Sequence, residues 1–238
     1  MMAVVVLTIL ILGAAGFLAY SQVDNRITEE DTLYIRKILE EGKVRSFSQR
    51  ESFQQEIAFI VAVQKAILSI TEKGECLSKG RPREPKDVYL ARCGESYDRS
   101  RVIEKTLRGA KFKTRHIMMF SLLPERSKIR SLFSPFVLSH SVTEVRTIKG
   151  WLVIDPDDPW FSLNEREEPV SLKSIQRDVA RGYISSEQVV LPGIPVMYRK
   201  PFIFVYGLYS RHGKFYPPYN FLPDINWSEF LYNMMPGL

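Results

Sequence analysis

Between Asp87 and Trp160 the spacing of the apolar residues changes from helical to strand-like, and this change limits the fold more than any other feature of the chain. After Cys93, the residues Tyr97, Val102, Ile103 and Leu107 recur at roughly helical intervals, and Gly109 follows as a natural stop. Glu104 and Arg108 stand four apart, acid before base, as on an exposed helix face. Phe112 to Leu123 then reads as a strand containing His116. Phe136 to Arg146 alternates, with Leu138, His140, Val142 and Glu144 on one face and Ser139, Ser141, Thr143 and Val145 on the other. Trp151 to Asp155 is a short apolar run closed by Pro156, and Lys149-Gly150 supplies the turn between the two strands. Helices followed by antiparallel strands predict an α+β domain, its helices packed on a mainly antiparallel sheet.

Three residues of this stretch can act together. Cys93 sits at or just ahead of the first helical turn, where free N–H groups and the helix dipole favour a thiolate. A hairpin centred near Ile148 brings His140 opposite Asp155, or within a pair or two of it, on the same face. Cys93, His140 and Asp155 are then the parts of a Cys-His-Asp triad. Taken singly, each has an ordinary explanation: a buried thiol, a structural imidazole, a turn-forming carboxylate. Their ordered combination favours the triad. His116 is the rival base, and His140 is preferred because the acid-bearing strand follows it directly.

Several local patterns in this stretch resemble the transglutaminase-like superfamily, relatives of the papain-like cysteine proteases. The matching features are Cys93 before a helix ending in Leu107-Arg108-Gly109, then His140-Ser-Val-Thr-Glu-Val, then Gly150-Trp151-Leu-Val-Ile-Asp155-Pro156. Val142 departs from the pattern, which often has an aromatic residue two after the His. The resemblance implies a transglutaminase-like fold and acyl transfer on a protein or peptide amide through a thioester on Cys93. His140 would move the proton, Asp155 would orient the imidazole, and the backbone N–H of Cys93 would serve as an oxyanion donor. Hydrolysis, as by a peptidase or amidase, is favoured because nothing marks an amine site. The alternatives are a protein-glutamine cross-linking transferase and a non-catalytic membrane-tethered binding or scaffold module. No cofactor or metal is expected.

The remaining sequence frames this core. The chain has 238 residues, 45% of them hydrophobic, enough for one sizeable core. Its net charge of +6 and pI of about 9.2 favour anionic partners, without a basic block that would name nucleic acid. Met2 to Tyr20 is almost wholly apolar and long enough to span a bilayer. Residues 1–21 are therefore expected to be a membrane anchor, or a signal segment cleaved near Ala19-Tyr20-Ser21, and residues 22–238 the domain, single-pass and exported. Thr28-Glu-Glu-Asp31 and Ser48-Gln-Arg-Glu51 each suggest a capped helix start. Cys76 has no companions for a zinc site, and a bond from it to Cys93 would block the proposed nucleophile. Residues 163–188 suggest a charged helix around Leu172 to Arg181, and residues 189–238, dense in aromatics and prolines, cap the core or line a groove.

Overall fold

The computed structural model describes residues 2–45, 47, 52–78, 83–122, 137–181, 193–210 and 224–235. The expected cap at Ser48 to Glu51, the end of the expected strand at Leu123, Phe136 and most of the aromatic tail (211–223) lie outside these residues.

An apolar helix, α1 (Met2–Ser21), leads into a helical layer of α2 (Glu29–Glu41), α3 (Phe53–Ile70), α4 (Pro85–Ala91) and α5 (Ser96–Gly109). The capping box predicted for α2 is present: Thr28 Oγ1 accepts from the Asp31 N–H at 3.0 Å, and Asp31 Oδ2 accepts from the Thr28 N–H at 2.9 Å. The same carboxylate receives Lys105 of α5 at 2.6 Å, so one cap also ties two helices together. The side-chain cap of α3 is Ser52, four residues beyond the expected Ser48; its Oγ accepts from Gln55 N–H. Gly42 is required where α2 crosses α3, since a side chain there would collide with Ala66.

β3 (Lys113–Ser121), β4 (Ser139–Thr147), β5 (Gly150–Ile154) and β6 (Phe202–Tyr206) form an antiparallel sheet in the order β5-β4-β3-β6. Its register pairs Thr147 with Gly150 and Thr143 with Ile154, leaving Ile148-Lys149 as a two-residue loop. Because opposed residues share a face, the sheet has two distinct sides. Val145, Leu152 and Ile154 pack against Ile60, Val63 and Ile67 of α3 and Val102, Ile103 and Leu107 of α5. Val142 and Val153, with Ile117 and Met119, pack on the other side against α6 (Leu172–Ala180) and Tyr198 of the short α7 (Val196–Arg199).

Two minor pairings complete the described chain. β1 (Glu72–Lys73) runs parallel to β2 (Cys93–Gly94), and β7 (Leu208–Tyr209) is antiparallel to β8 (Asp224–Ile225), followed by α8 (Trp227–Phe230) and a 3-10 turn, Leu231–Met234. The α+β class and the antiparallel sheet are as the sequence predicts. Among the described residues, α3 is the one helix long and apolar enough to cross a membrane by length and composition. Phe59, Ile60, Val63 and Ile67 are nevertheless buried in the core. The described side chains of α1 give a shorter apolar helix, Val5–Ser21, that exposes Val5, Leu7, Ile9, Leu10, Ile11 and Leu12.

Candidate functional site

The site grows from the end of β5. Past Ile154 the chain turns, and Asp155 makes the turn: its Oδ1 accepts from the N–H groups of Asp157 at 2.8 Å and Asp158 at 2.9 Å. Gln64, reaching across from α3, donates to the Asp155 and Trp160 carbonyls, each at 2.8 Å, and fixes the turn from below. The second carboxylate oxygen, Oδ2, faces His140 Nε2 at 2.8 Å and accepts the Tyr198 hydroxyl at 2.6 Å. Continued past Thr143–Ile154, the register sets Asp155 two positions short of direct opposition to His140 on the same face, which is a diagonal pair on an antiparallel sheet.

Asp155 is 1% exposed, so its charge stands only because it is compensated. Burial pushes its carboxyl upward, but the charge and hydrogen bond of His140 and the Tyr198 hydroxyl bring it below the ordinary range. Burial likewise pushes His140 down, and the Asp155 charge and bond more than offset this, raising the imidazole. With Nε2 bonded to a carboxylate, Nε2 carries a proton and Nδ1 is the nitrogen available for proton transfer. Nδ1 lies 4.0 Å from Asp157 Oδ2. Asp157 also receives Lys73 of β1 at 2.6 Å and Arg99 of α5 at 2.9 Å. The imidazole therefore faces a charged hub that joins the sheet to the helical layer.

Cys93 is engaged in a disulfide. Its sulfur is bonded to Cys76, closing a loop with a sequence separation of 17, and lies 3.4 Å from the Gly74 carbonyl. Among the described residues no hydrogen bond joins it to His140. It also lies three residues ahead of α5, which starts at Ser96 behind a Glu95–Asp98 capping pair. The amides at that helix start, with the positive end of its dipole, thus belong to Ser96 and its successors and not to Cys93. His140, moreover, shares its face with Val142, the side of the sheet that packs α6 and α7 rather than α5.

Ser96 and Tyr198 escaped the sequence reading. Ser96 is buried, and its Oγ accepts from the Ser141 N–H, the residue after His140, at 3.2 Å. The capping pair Glu95 and Asp98 was the available signal for it, since it places the helix start one residue before the serine's own N–H. Tyr198 had no local signal; its ring lies tilted against Trp160 at 4.7 Å and meets His140 edge-on at 6.3 Å. Beside it opens a cleft of about 730 Å³ bordered by Trp160, Phe161, Ile194, Pro195, Val196 and Arg199. His116, the rival base, belongs to another cluster: it is fully buried, stacks on Tyr209 at 3.9 Å and lies 3.8 Å from Glu104. Burial pushes it down to about 4, against the pull of Glu104, so it is neutral near pH 7.

No family model, curated protein or solved structure matches the chain.

Proposed function

We propose that the chain is a membrane-anchored, exported, transglutaminase-like domain that performs acyl transfer on peptide amides, with water as the preferred acceptor. The observation that carries this reading is the pair of half-buried His140 and buried Asp155, held at 2.8 Å and buttressed by Tyr198. A carboxylate so fixed selects one imidazole tautomer and stabilises the imidazolium, the two services a base needs from its acid partner. In this reading Cys93 is the nucleophile, and the structure is its resting form. A dithiol reductant opens the Cys76–Cys93 bond and is itself oxidised to a disulfide. The Cys93 thiolate then adds to the amide carbonyl, His140 protonates the departing amine as the C–N bond breaks, and water, deprotonated by His140, cleaves the thioester. The disulfide itself supports export, since such bonds persist in oxidising compartments. The exposed apolar surface of α1 supports anchoring.

A second reading, a non-catalytic module tethered at the membrane, is favoured by the placement of Cys93: bonded to Cys76, ahead of the helix, with no hydrogen bond to His140 among the described residues. One experiment separates the two. Full-length protein is reduced with dithiothreitol, labelled with iodoacetamide at neutral pH and assayed on peptide amides, alongside Cys93→Ser, Ser96→Ala and His140→Ala. Preferential labelling of Cys93 over Cys76, lost in His140→Ala, with turnover lost in Cys93→Ser, supports the thioester route. Equal, slow labelling of both cysteines and no turnover supports the tethered module. Turnover that needs no reductant and disappears in Ser96→Ala moves the nucleophile to the serine.

A further inference from the structure

The end of α1 is seated on the C-terminal elements. Ser21 Oγ accepts the indole N–H of Trp227 at 3.1 Å, the Phe17 ring meets Trp227 at 5.9 Å, and the Val23 N–H donates to the Ile225 carbonyl at 2.9 Å. Immediately beyond Trp227, Ser228, Glu229 and Tyr232 form one wall of a cleft of about 520 Å³. The other wall is the sheet, which presents Lys113, Arg115, Arg146 and Trp151 on a single face.

The charge in this cleft is unbalanced. The register places Lys113 directly opposite Arg146, and like charges so opposed repel. Neither makes an ion pair among the described residues, and both are exposed. Behind them Arg115 is only 6% exposed, its guanidinium 3.8 Å from the Trp151 ring centre and 4.7 Å from that of Tyr232. Its buried Nε has no hydrogen-bond acceptor among the described residues. The nearest carboxylate, Glu144, stands off at 4.0 Å, with its other oxygen taken by the Leu172 N–H. Arg108 at the rim is already matched by Glu104 at 2.9 Å and Glu229 at 2.6 Å. Lys113 and Arg146 thus converge, beside a weakly matched Arg115, on a space whose one lining carboxylate, Glu229, is already taken by Arg108. On the turn that carries Tyr232, Leu231, Met234 and Met235 are exposed.

We propose that this cleft binds the phosphodiester headgroup of an anionic phospholipid, with Leu231, Met234 and Met235 facing the acyl region. The occupant follows from position: the cleft lies beside the seat of α1, where an anchored chain leaves the bilayer, and Trp227 is the interfacial kind of aromatic found at that depth. The inference rests on reading α1 as an anchor, but its test does not. Full-length protein in uncharged detergent is titrated calorimetrically with dihexanoyl-phosphatidylglycerol, dihexanoyl-phosphatidylcholine and inorganic phosphate. Saturable binding of the anionic phosphatidylglycerol is expected, with much weaker binding of the other two. Lys113→Gln and Arg146→Gln, exposed changes that leave the core untouched, should each weaken it about fivefold, the loss for one basic residue at an anionic surface. Unchanged affinity in both variants overturns the proposal, as does inorganic phosphate binding as tightly as the lipid. Resistance of the full chain to alkaline extraction reports on α1 separately, so failure of the anchor and failure of the headgroup site are distinct results.

Discussion

Replacing Asp155 by Asn tests the physical account of the site most directly. The carboxylate accepts from the Asp157 and Asp158 amides on one oxygen and from His140 and Tyr198 on the other. An asparagine can keep its oxygen on the two backbone amides, where an NH₂ group would oppose two donors. The NH₂ then faces His140 and Tyr198. The imidazole can answer by moving its proton to Nδ1, but the tyrosine hydroxyl loses its acceptor inside the protein. A hydrogen bond to a charged group is worth about 1.5–3 kcal/mol, and the lost attraction to imidazolium adds to it, so about 3 kcal/mol is at stake. At roughly 2–4 °C per kcal/mol for a chain of this size, Tm should fall by about 6–12 °C near pH 6. The pH profile carries a second signature. In the folded parent His140 is raised above its unfolded value of about 6.5, so its stabilisation is complete below that pH and fades as pH rises through the folded value. The variant should lose this slope. Thermal unfolding followed by near-ultraviolet circular dichroism from pH 5.5 to 8.5 provides the measurement. A Tm within about 2 °C of the parent, or an unchanged slope, would refute the reasoning. By volume alone the change looks harmless to the fold, since the two side chains are nearly the same size; the lost acceptor for Tyr198 and the lost charge beside His140 decide otherwise.

Other consequences can be checked with the same material. Cys76→Ser should lower stability by about 3 kcal/mol, the entropy released when a loop of this size is opened, read by urea unfolding of the oxidised parent against the variant. Glu144 is raised by burial to about 7, so folding takes up a proton there and stability from this group falls as pH climbs from about 4.3 to 7. Glu144→Gln keeps the acceptor for Leu172 and should flatten Tm over that interval, leaving the variant at least as stable as the parent at pH 8. If α1 anchors the chain, full-length protein should stay with membranes in both high salt and alkali, whereas a chain beginning at Gln22 should not; release by salt alone would reduce the attachment to screened electrostatics.

The parts of the fold legible in the sequence were those with a period. Alternation over residues 138–146 and the turn signal at Lys149-Gly150 marked the hairpin closely enough to bring His140 and Asp155 onto one face, although the loop proper is Ile148-Lys149 and Gly150 pairs with Thr147. The α5 pattern stopped at Gly109 as expected, although the left-handed position in that turn is taken by Lys111. What the sequence concealed arises from contacts between distant segments. Tyr198 and Gln64 reach Asp155 from 43 and 91 residues away, through side chains that no local pattern marks. Cys76 meets Cys93 through a parallel pairing of two residues on each side, too short to leave a periodic trace. The sidedness of the sheet was also hidden, since it depends on which helices cover which face.

The seat of α1 on Trp227 and Ile225 sets the route by which a mechanical load would travel. A pull on the apolar helix is met first by the Ser21–Trp227 and Val23–Ile225 bonds, before the strain reaches α2. Those bonds lead into β8 and α8, which Asn226 and Glu229 tie to Gly207, Arg108 and the His116 amide. Force entering at one end of the chain is thereby carried into β3 and α5 from the other. The hub around Asp157 is joined to this path through Arg99 of α5, and His140 is paired with Met119 of β3, so a load entering through α1 is delivered to the elements that hold the His140–Asp155 pair.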